Sequence, residues 1–229
     1  MNNNINFNDL TLIIPAKYES ESLPKFLKEL NSINSKILVI LQNDDFKTID
    51  CLKNFKNVKI LYQKINGYGA AITEGFNACE TEYCCIINAD GSMNPKYLRE
   101  MLSKCDKNDF VFGSRYMKYA GSQDDTIITF IGNKVFTLLA NLLYRLDISD
   151  ILYTYIMGKT KSFLSLDLSY KDFRLCVEIP IKAKRNNLNY ICLPSYERSR
   201  IGGKKKVHAF KDGFLILIAI ISFLFKTKK

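Results

Sequence analysis

Apolar residues fall along this chain in two rhythms. Leu10–Ala16, Lys36–Leu41, Val58–Tyr62, Tyr83–Asn88 and Asp109–Gly113 are short, nearly unbroken apolar runs of strand length. Between them apolar residues recur at helical spacing: Leu23, Phe26, Leu27 and Leu30 within Ser22–Ile33, then a glycine-punctuated stretch, Gly69–Cys79, and a third, Pro95–Lys104. Runs that are continuous rather than alternating predict strands buried on both faces. The pattern therefore predicts an α/β fold, a mostly parallel sheet flanked by helices. Such sheets bind ligands beyond the carboxyl ends of their strands, so the residues following each run are the candidates for function.

The second half has longer periods. Ile127–Leu146 reads as a long apolar helix, Lys161–Leu166 as a strand, Asp172–Asn186 as a helix carrying Glu178, and Tyr190–Tyr196 as a β-rich run feeding the basic loop Glu197–Lys206. No linker-like composition separates the halves, which predicts one domain over residues 1–208 followed by a basic, apolar helix over 209–229. Within that helix Gly213–Phe225 is almost wholly apolar, yet shorter than the roughly 20 residues that cross a hydrocarbon core of about 30 Å. It fits a membrane interface, a second subunit or closure of the core, and its flanking lysines suit anionic headgroups.

Composition narrows the partners. An apolar content of 47% in 229 residues is that of a folded domain, and 33 basic against 23 acidic residues give a net charge of +10. That excess attracts polyanions. It gathers late, in Arg198, Arg200, Lys204, Lys205, Lys206, Lys211, Lys226, Lys228 and Lys229. Nucleic acid is not expected, because no recognition-helix motif and no basic stripe interleaved with aromatics accompanies it. Seven cysteines without zinc spacing, and no signal peptide at the N-terminus, suit a reducing cytosol. A single histidine, His208, rules out a histidine-rich metal site.

Six segments can carry chemistry. Asn88-Ala89-Asp90-Gly91-Ser92 follows the fourth run; a carboxylate there can hold a hard cation against a diphosphate, although the same residues make an ordinary Asp-Gly turn. Pro15-Ala16-Lys17-Tyr18-Glu19 ends the first run, and Gly67 and Gly69 open a helix where backbone can approach a phosphate or sugar, or simply turn. Arg115, in Gly113-Ser114-Arg115, can fork onto a phosphate. Asp150 follows the long helix as a turn or cap residue. Arg198–Lys206 is a flexible basic loop suited to phosphates.

The order and spacing of Leu12–Glu19, Gly67–Pro95, Phe112–Tyr116, Gly132–Asp150 and Arg198–Lys211 resemble glycosyltransferase family 2. Within that family it looks most like the dolichol-phosphate mannose synthase type and its bacterial polyprenyl-phosphate relatives. The resemblance implies a Rossmann-like GT-A fold. It implies that Pro15, Ala16, Glu19, Gln42, Gly67, Gly69, Asn88, Ala89, Asp90, Arg198, Arg200 and Lys206 bind the donor. It places the family's Asp-x-Asp magnesium or manganese ligands on Asn88 and Asp90, and catalytic roles on Asp90, Arg115 and Asp150. The chain departs from the family at five places, one of them Gly158-Lys159, where the family often has an aromatic-arginine pair. Leu41-Gln42 replaces a pair of aspartates, so Gln42, or Asp44 or Asp45 after a register shift, must meet the nucleoside. Asn88 replaces an acid, Lys205 replaces a serine, and the arginine expected ahead of Gly132-Asn133 is missing.

The resulting expectation is an inverting, metal-assisted transfer of a sugar from a nucleotide-sugar donor to a polyprenyl-phosphate or cell-surface glycan acceptor. The enzyme would sit peripherally at the cytoplasmic face of the membrane, with homo-oligomers allowed. For a hydroxyl acceptor Asp150 is the candidate base. The competing readings are a degenerate membrane-bound scaffold and a sugar-phosphate nucleotidyltransferase. The second lacks the glycine-rich basic loop expected after the first strand.

Overall fold

The computed structural model describes residues 6–203 and 208–225. Apart from α2, the first half alternates as the pattern predicts: β1 (Leu10–Pro15), α1 (Leu23–Leu30), β2 (Lys36–Leu41), α2 (Phe46–Leu52), β3 (Val58–Tyr62), α3 (Tyr68–Asn77), β4 (Tyr83–Ile86), α4 (Leu98–Cys105) and β5 (Phe110–Ser114). A two-residue strand, β6 (Gly121–Ser122), precedes α5 (Ile127–Tyr144). Then come β7 (Ile156–Lys159), α6 (Thr160–Leu164), α7 (Leu175–Arg185), β8 (Tyr190–Pro194), β9 (Tyr196–Glu197) and α8 (Ala209–Ser222).

Seven strands form one sheet in the order β3-β2-β1-β4-β7-β5-β8, parallel throughout except β7, which runs antiparallel to β4 and β5. Alternation along β1 shows why its run is unbroken. Ile13 faces the core beneath α3, α6, α7 and α8, while Leu10, Leu12 and Ile14 face the core beneath α1 and α4. The reversal of strand order lies between β1 and β4, and the site is found there.

Two expectations are corrected. Lys161–Leu166 is not a strand: α6 covers Thr160–Leu164, and Thr160, Phe163 and Leu166 point inward at three-residue spacing while Lys161, Leu164 and Ser165 are exposed. Phe163 stacks on Phe76 at 4.1 Å and meets Phe110 edge-on. The strand lies just before, in β7, whose four residues include a glycine and a lysine. Gly158 is required there, since a Cβ would stand 2.5 Å from the Asp109 carbonyl. Short α2 was also not predicted, its apolar content being low. Asp45 caps it, accepting from the Thr48 N–H.

Helices α5 and α8 pack against each other and against α7. Ile216, Ala219 and Ile220 of α8, with Phe223 just after it, enter the core, while Phe210, Phe214, Ile218 and Ile221 are exposed.

Candidate active site

The carboxyl ends of β1, β2, β3 and β4 open into a cavity of about 490 Å³, within the range of small-molecule sites. Its wall contains Pro15 at the end of β1 with Ala16, Lys17 and Glu19 after it, Gln42 after β2, Gln63, Asn66 and Gly67 between β3 and α3, Tyr68 and Ala71 in the first turn of α3, and Asn88, Ala89 and Asp90 after β4. Asp172, Phe173, Arg200 and Asp212 complete it from the last part of the chain.

Asp90 is 5% exposed. Its Oδ1 accepts the Ser92 N–H at 3.0 Å, closing a turn that Gly91 makes possible at φ +74°. Its Oδ2 lies 2.9 Å from Arg200 Nη1. The same guanidinium reaches Asp124 through Nε and Nη2, at 3.2–3.3 Å. Burial alone would weaken the charge on Arg200, but Asp124 and Asp90 outweigh it and push the pKa above its ordinary value.

The basic segment reaches Asp90 because its backbone is docked there. The Arg198 N–H donates to the Ser92 carbonyl and the Ile201 N–H to the Asp90 carbonyl, both at 2.9 Å, with a bridge between Met93 and Glu197. The Ile201 side chain fills the space where a Cβ on Gly91 would be. Farther on, Gly203 passes so close to Glu19 that a Cβ would lie 3.0 Å from its Oε2. Lys206 lies outside the described residues.

Asn88 Oδ1 accepts from the Tyr68 hydroxyl at 3.0 Å, and that hydroxyl also pairs with Thr154 Oγ1 at 2.7 Å. Glu19 is held by Ser22 Oγ at 2.6 Å and by its own N–H on Thr48 Oγ1. Gln42 Nε2 donates to Asn66 Oδ1 at 2.8 Å. Asp45 does not substitute beside it, because both its oxygens are engaged, by the Tyr18 N–H and the α2 cap. Asp44 is exposed and stands outside the wall.

The glycines that open α3 serve a neighbour. A Cβ on Gly67 would sit 2.1 Å from the Lys171 carbonyl oxygen, and one on Gly69 would sit 2.5 Å from that of Tyr170. The loop from Ser169 to Asp172 lies directly against them, with the Ala70 N–H donating to Lys171 O at 3.0 Å. Buried Glu178 fixes that loop, accepting from the Ser169 N–H and Oγ and the Tyr170 N–H at 2.7–2.9 Å. Asp172, clamped by Arg174 at 2.6–3.1 Å and thereby lowered in pKa, is thus carried into the cavity beside Phe173. Gly67 remains in the wall and Gly69 falls behind it.

Three further predicted residues lie elsewhere. Arg115 and Asp150 form a buried pair outside the wall. Arg115 Nε and Nη2 reach the two Asp150 oxygens at 2.7 and 3.0 Å, and Nη1 reaches Glu197 at 3.1 Å. Asn133 donates to Asp150 at 2.6 Å. Arg115 therefore does not face the cavity, and Asp150 is not positioned there as a base. Arg198 turns to Glu29 and the Gly91 carbonyl, holding the loop rather than lining the site. Conversely, Tyr68, Asp124, Asp172, Phe173 and Asp212 were not anticipated at the site. Each comes from helix ends or loops whose placement depends on long-range packing.

A family description matches this arrangement: Glycosyl transferase family 2, over residues 11–166. The chain belongs to glycosyl transferase family 2. Among relatives of this family, an uncharacterised glycosyltransferase of Mycobacterium tuberculosis is 25% identical over 211 residues, covering 91% of this chain and 94% of the relative. A glucosyl-3-phosphoglycerate synthase of M. tuberculosis, crystallised with Mn²⁺, UDP and phosphoglyceric acid, superposes with a TM-score of 0.68. The identity there is 11%, and the match covers 93% of this chain and 77% of that one. Mannosyl-3-phosphoglycerate synthase of Rubrobacter xylanophilus gives 0.71 at 12% identity, covering 94% and 73%. The protein is therefore a family 2 glycosyltransferase of GT-A fold. The family match ends before Asp172, Arg200 and Asp212, so this part of the wall is known from geometry alone.

Proposed function

We propose that the protein transfers a sugar, with inversion in one displacement, from a nucleotide diphosphate donor to a lipid-linked acceptor at the cytoplasmic face of a membrane. The observation that carries the donor side is the meeting of Asp90 and Arg200 on the wall of one cavity at the switch point. Departure of the anionic nucleoside diphosphate dominates the barrier, so cationic groups fixed around the leaving group supply most of the stabilisation. Arg200 is so placed, and Lys206 belongs to the same basic loop. Gln42 and Asn66, at the β2–β3 end, meet the nucleoside.

Among the described residues no three carboxylate, cysteine or histidine groups form a cluster able to hold a metal ion. The donor set fits a hard cation that takes one carboxylate oxygen from Asp90, an amide oxygen from Asn88, and its other ligands from diphosphate and water. Such a magnesium or manganese ion would neutralise charge on the departing diphosphate. The glucosyl-3-phosphoglycerate synthase neighbour was crystallised with Mn²⁺ and UDP.

The acceptor side rests on α5 and α8. Helix α5 is 18 residues long with mean hydropathy 1.5 and only 17% buried, long and apolar enough to cross a membrane by length and composition. Its inner side, Asn133, Thr137 and Ala140, is tied to the domain, while Ile127, Ile131, Val135, Leu138 and Leu142 are exposed. Phe210, Phe214 and Ile218 of α8 are exposed too, and Asp212 of the same helix lines the cavity. Lying flat in the interface, this pair would present an acceptor headgroup, a polyprenyl phosphate or a lipid-borne glycan, beside the donor.

Incubation of the protein and of Asp90→Ala with a panel of nucleotide-sugars and Mn²⁺, against polyprenyl-phosphate vesicles and free glycans, tests both sides. Turnover by wild type that is lost in Asp90→Ala is the expected result. Near-normal turnover by the variant removes the assignment of Asp90, and activity on free glycans alone removes the lipid acceptor.

A further inference from the structure

The Asp90–Arg200 contact raises a question of occupancy. Asp90 has one oxygen committed to the Ser92 N–H and the other to Arg200 Nη1. The neighbouring position is Asn88, whose amide brings no charge and already accepts from Tyr68. The only full negative charge offered by this turn is therefore already neutralised by a guanidinium. A divalent ion arriving at Asp90 would meet a positive group in contact with its ligand.

Arg200 is also built to leave. Two of its nitrogens, Nε and Nη2, lie on Asp124, and Nη1 lies on Asp90. Asp124 is itself held by its N–H on Ser122 Oγ at 3.1 Å. The backbone beside Arg200 is moored by the Ile201 N–H on the Asp90 carbonyl. A small rotation of the side chain thus releases Asp90 while Asp124 keeps the guanidinium near.

We propose that Arg200 and the divalent cation occupy Asp90 in turn, Arg200 holding the carboxylate until a nucleoside diphosphate enters and draws the guanidinium onto its phosphates. The proposal rests on the donor reading above and specifies the order of assembly: cation affinity is low before the nucleotide binds and rises with it. Arg200 acts first as a placeholder for the metal and then as a phosphate ligand, so a free cation does not load the empty site.

The test is Mn²⁺ binding, read by the electron paramagnetic resonance signal of free Mn²⁺ and by calorimetry, with Mn²⁺ alone and with UDP or GDP present. Wild type should bind Mn²⁺ at least about tenfold more weakly alone than with the nucleotide that binds it. Arg200→Gln should bind Mn²⁺ alone about tenfold more tightly than wild type, a gain of function that a misfolded protein would not show. Arg200→Lys, which keeps a cation beside Asp90, should stay close to wild type. Equal Mn²⁺ affinity of wild type and Arg200→Gln without nucleotide overturns the proposal, as does wild-type binding of Mn²⁺ alone as tight as with nucleotide. If no nucleotide diphosphate binds wild type, the donor reading fails instead. The comparison of Arg200→Gln with wild type still decides who holds Asp90.

Discussion

Removing the Arg115 guanidinium separates a structural role from a catalytic one. The Asp150 side chain is fully enclosed, and those of Glu197 and Asp125 are 8% and 13% exposed. Arg115 contacts all three, at 2.7, 3.1 and 3.6 Å. In Arg115→Met the Asp150 carboxylate keeps only the backbone N–H of residue 115 and Asn133. Stripping one partner from a buried pair costs about 3–5 kcal/mol, a large share of the roughly 5–15 kcal/mol that keeps a domain folded. For a chain of this length each kcal/mol moves the melting temperature by about 2–4 °C, so a fall of roughly 6–20 °C is expected. Urea denaturation gives the free energy. The double variant Arg115→Met/Asp150→Leu should recover much of the loss, since a packed apolar pair replaces an isolated charge. Nucleotide affinity of the folded single variant should change little, as Arg115 is outside the cavity wall. If Arg115→Met is as stable as wild type within about 1 kcal/mol yet loses turnover, the arginine acts on substrate and the assignment of this network to stability is wrong.

Gly67→Ala should cost about 2 kcal/mol or more and weaken nucleotide binding, because φ +131° is strained for alanine and its Cβ must displace the Lys171 carbonyl; chemical denaturation with calorimetry reads both, and unchanged values would show that the loop carrying Asp172 is not docked there. Burial of Glu178 opposes its charge, but Ser169, Tyr170 and Lys182 prevail and hold its pKa below the ordinary value. A carboxyl so depressed stabilises the fold above its unfolded pKa of about 4.3, and that contribution disappears as pH falls through the folded value. Glu178→Gln should therefore be less stable than wild type at neutral pH and show a smaller further loss on acidification, read from melting temperatures between pH 7 and 3. Placing glutamates at Leu138, Leu142 and Ile218, all exposed, should abolish co-sedimentation with anionic vesicles while leaving the melting temperature within a few degrees; undiminished vesicle binding would refute the membrane face, and wild-type dimers dispersed by the same changes would assign the face to a second copy.

The central parallel strands were legible because burial on both faces leaves an unbroken apolar signature, as in Ile37–Leu41, whereas β3 at the sheet edge is partly exposed, against the expectation of burial on both faces. The residues at and just past their ends, Pro15, Ala16, Glu19, Gln42, Asn88, Ala89 and Asp90, do stand in the cavity wall, since topology alone puts strand ends there. Sheet pairing fixed what pattern did not: β7 is too short and too interrupted by Gly158 to declare itself. Arg115 looked like a phosphate ligand because an arginine after a strand end has that geometry available. Nothing local revealed that Asp150, Glu197 and Asp125 would enclose it. Asp172 and Asp212 were illegible for the converse reason. Each is an ordinary acidic residue near a helix start, and only the docking of the loop on Gly67 and Gly69, and of α8 on α5, brings them inward.

The distribution of the wall along the chain has a consequence for biogenesis. Every strand contributing to the cavity is complete by Ile86, but Asp172, Phe173, Arg200 and Asp212 come from the last quarter. A ribosome releasing residues from the N-terminus onward makes the cradle long before the segments that close over it. Capture of a nucleotide by nascent chains of graded length should begin only after Arg200 has emerged, so ligand binding reports that translation of the closing segments is finished.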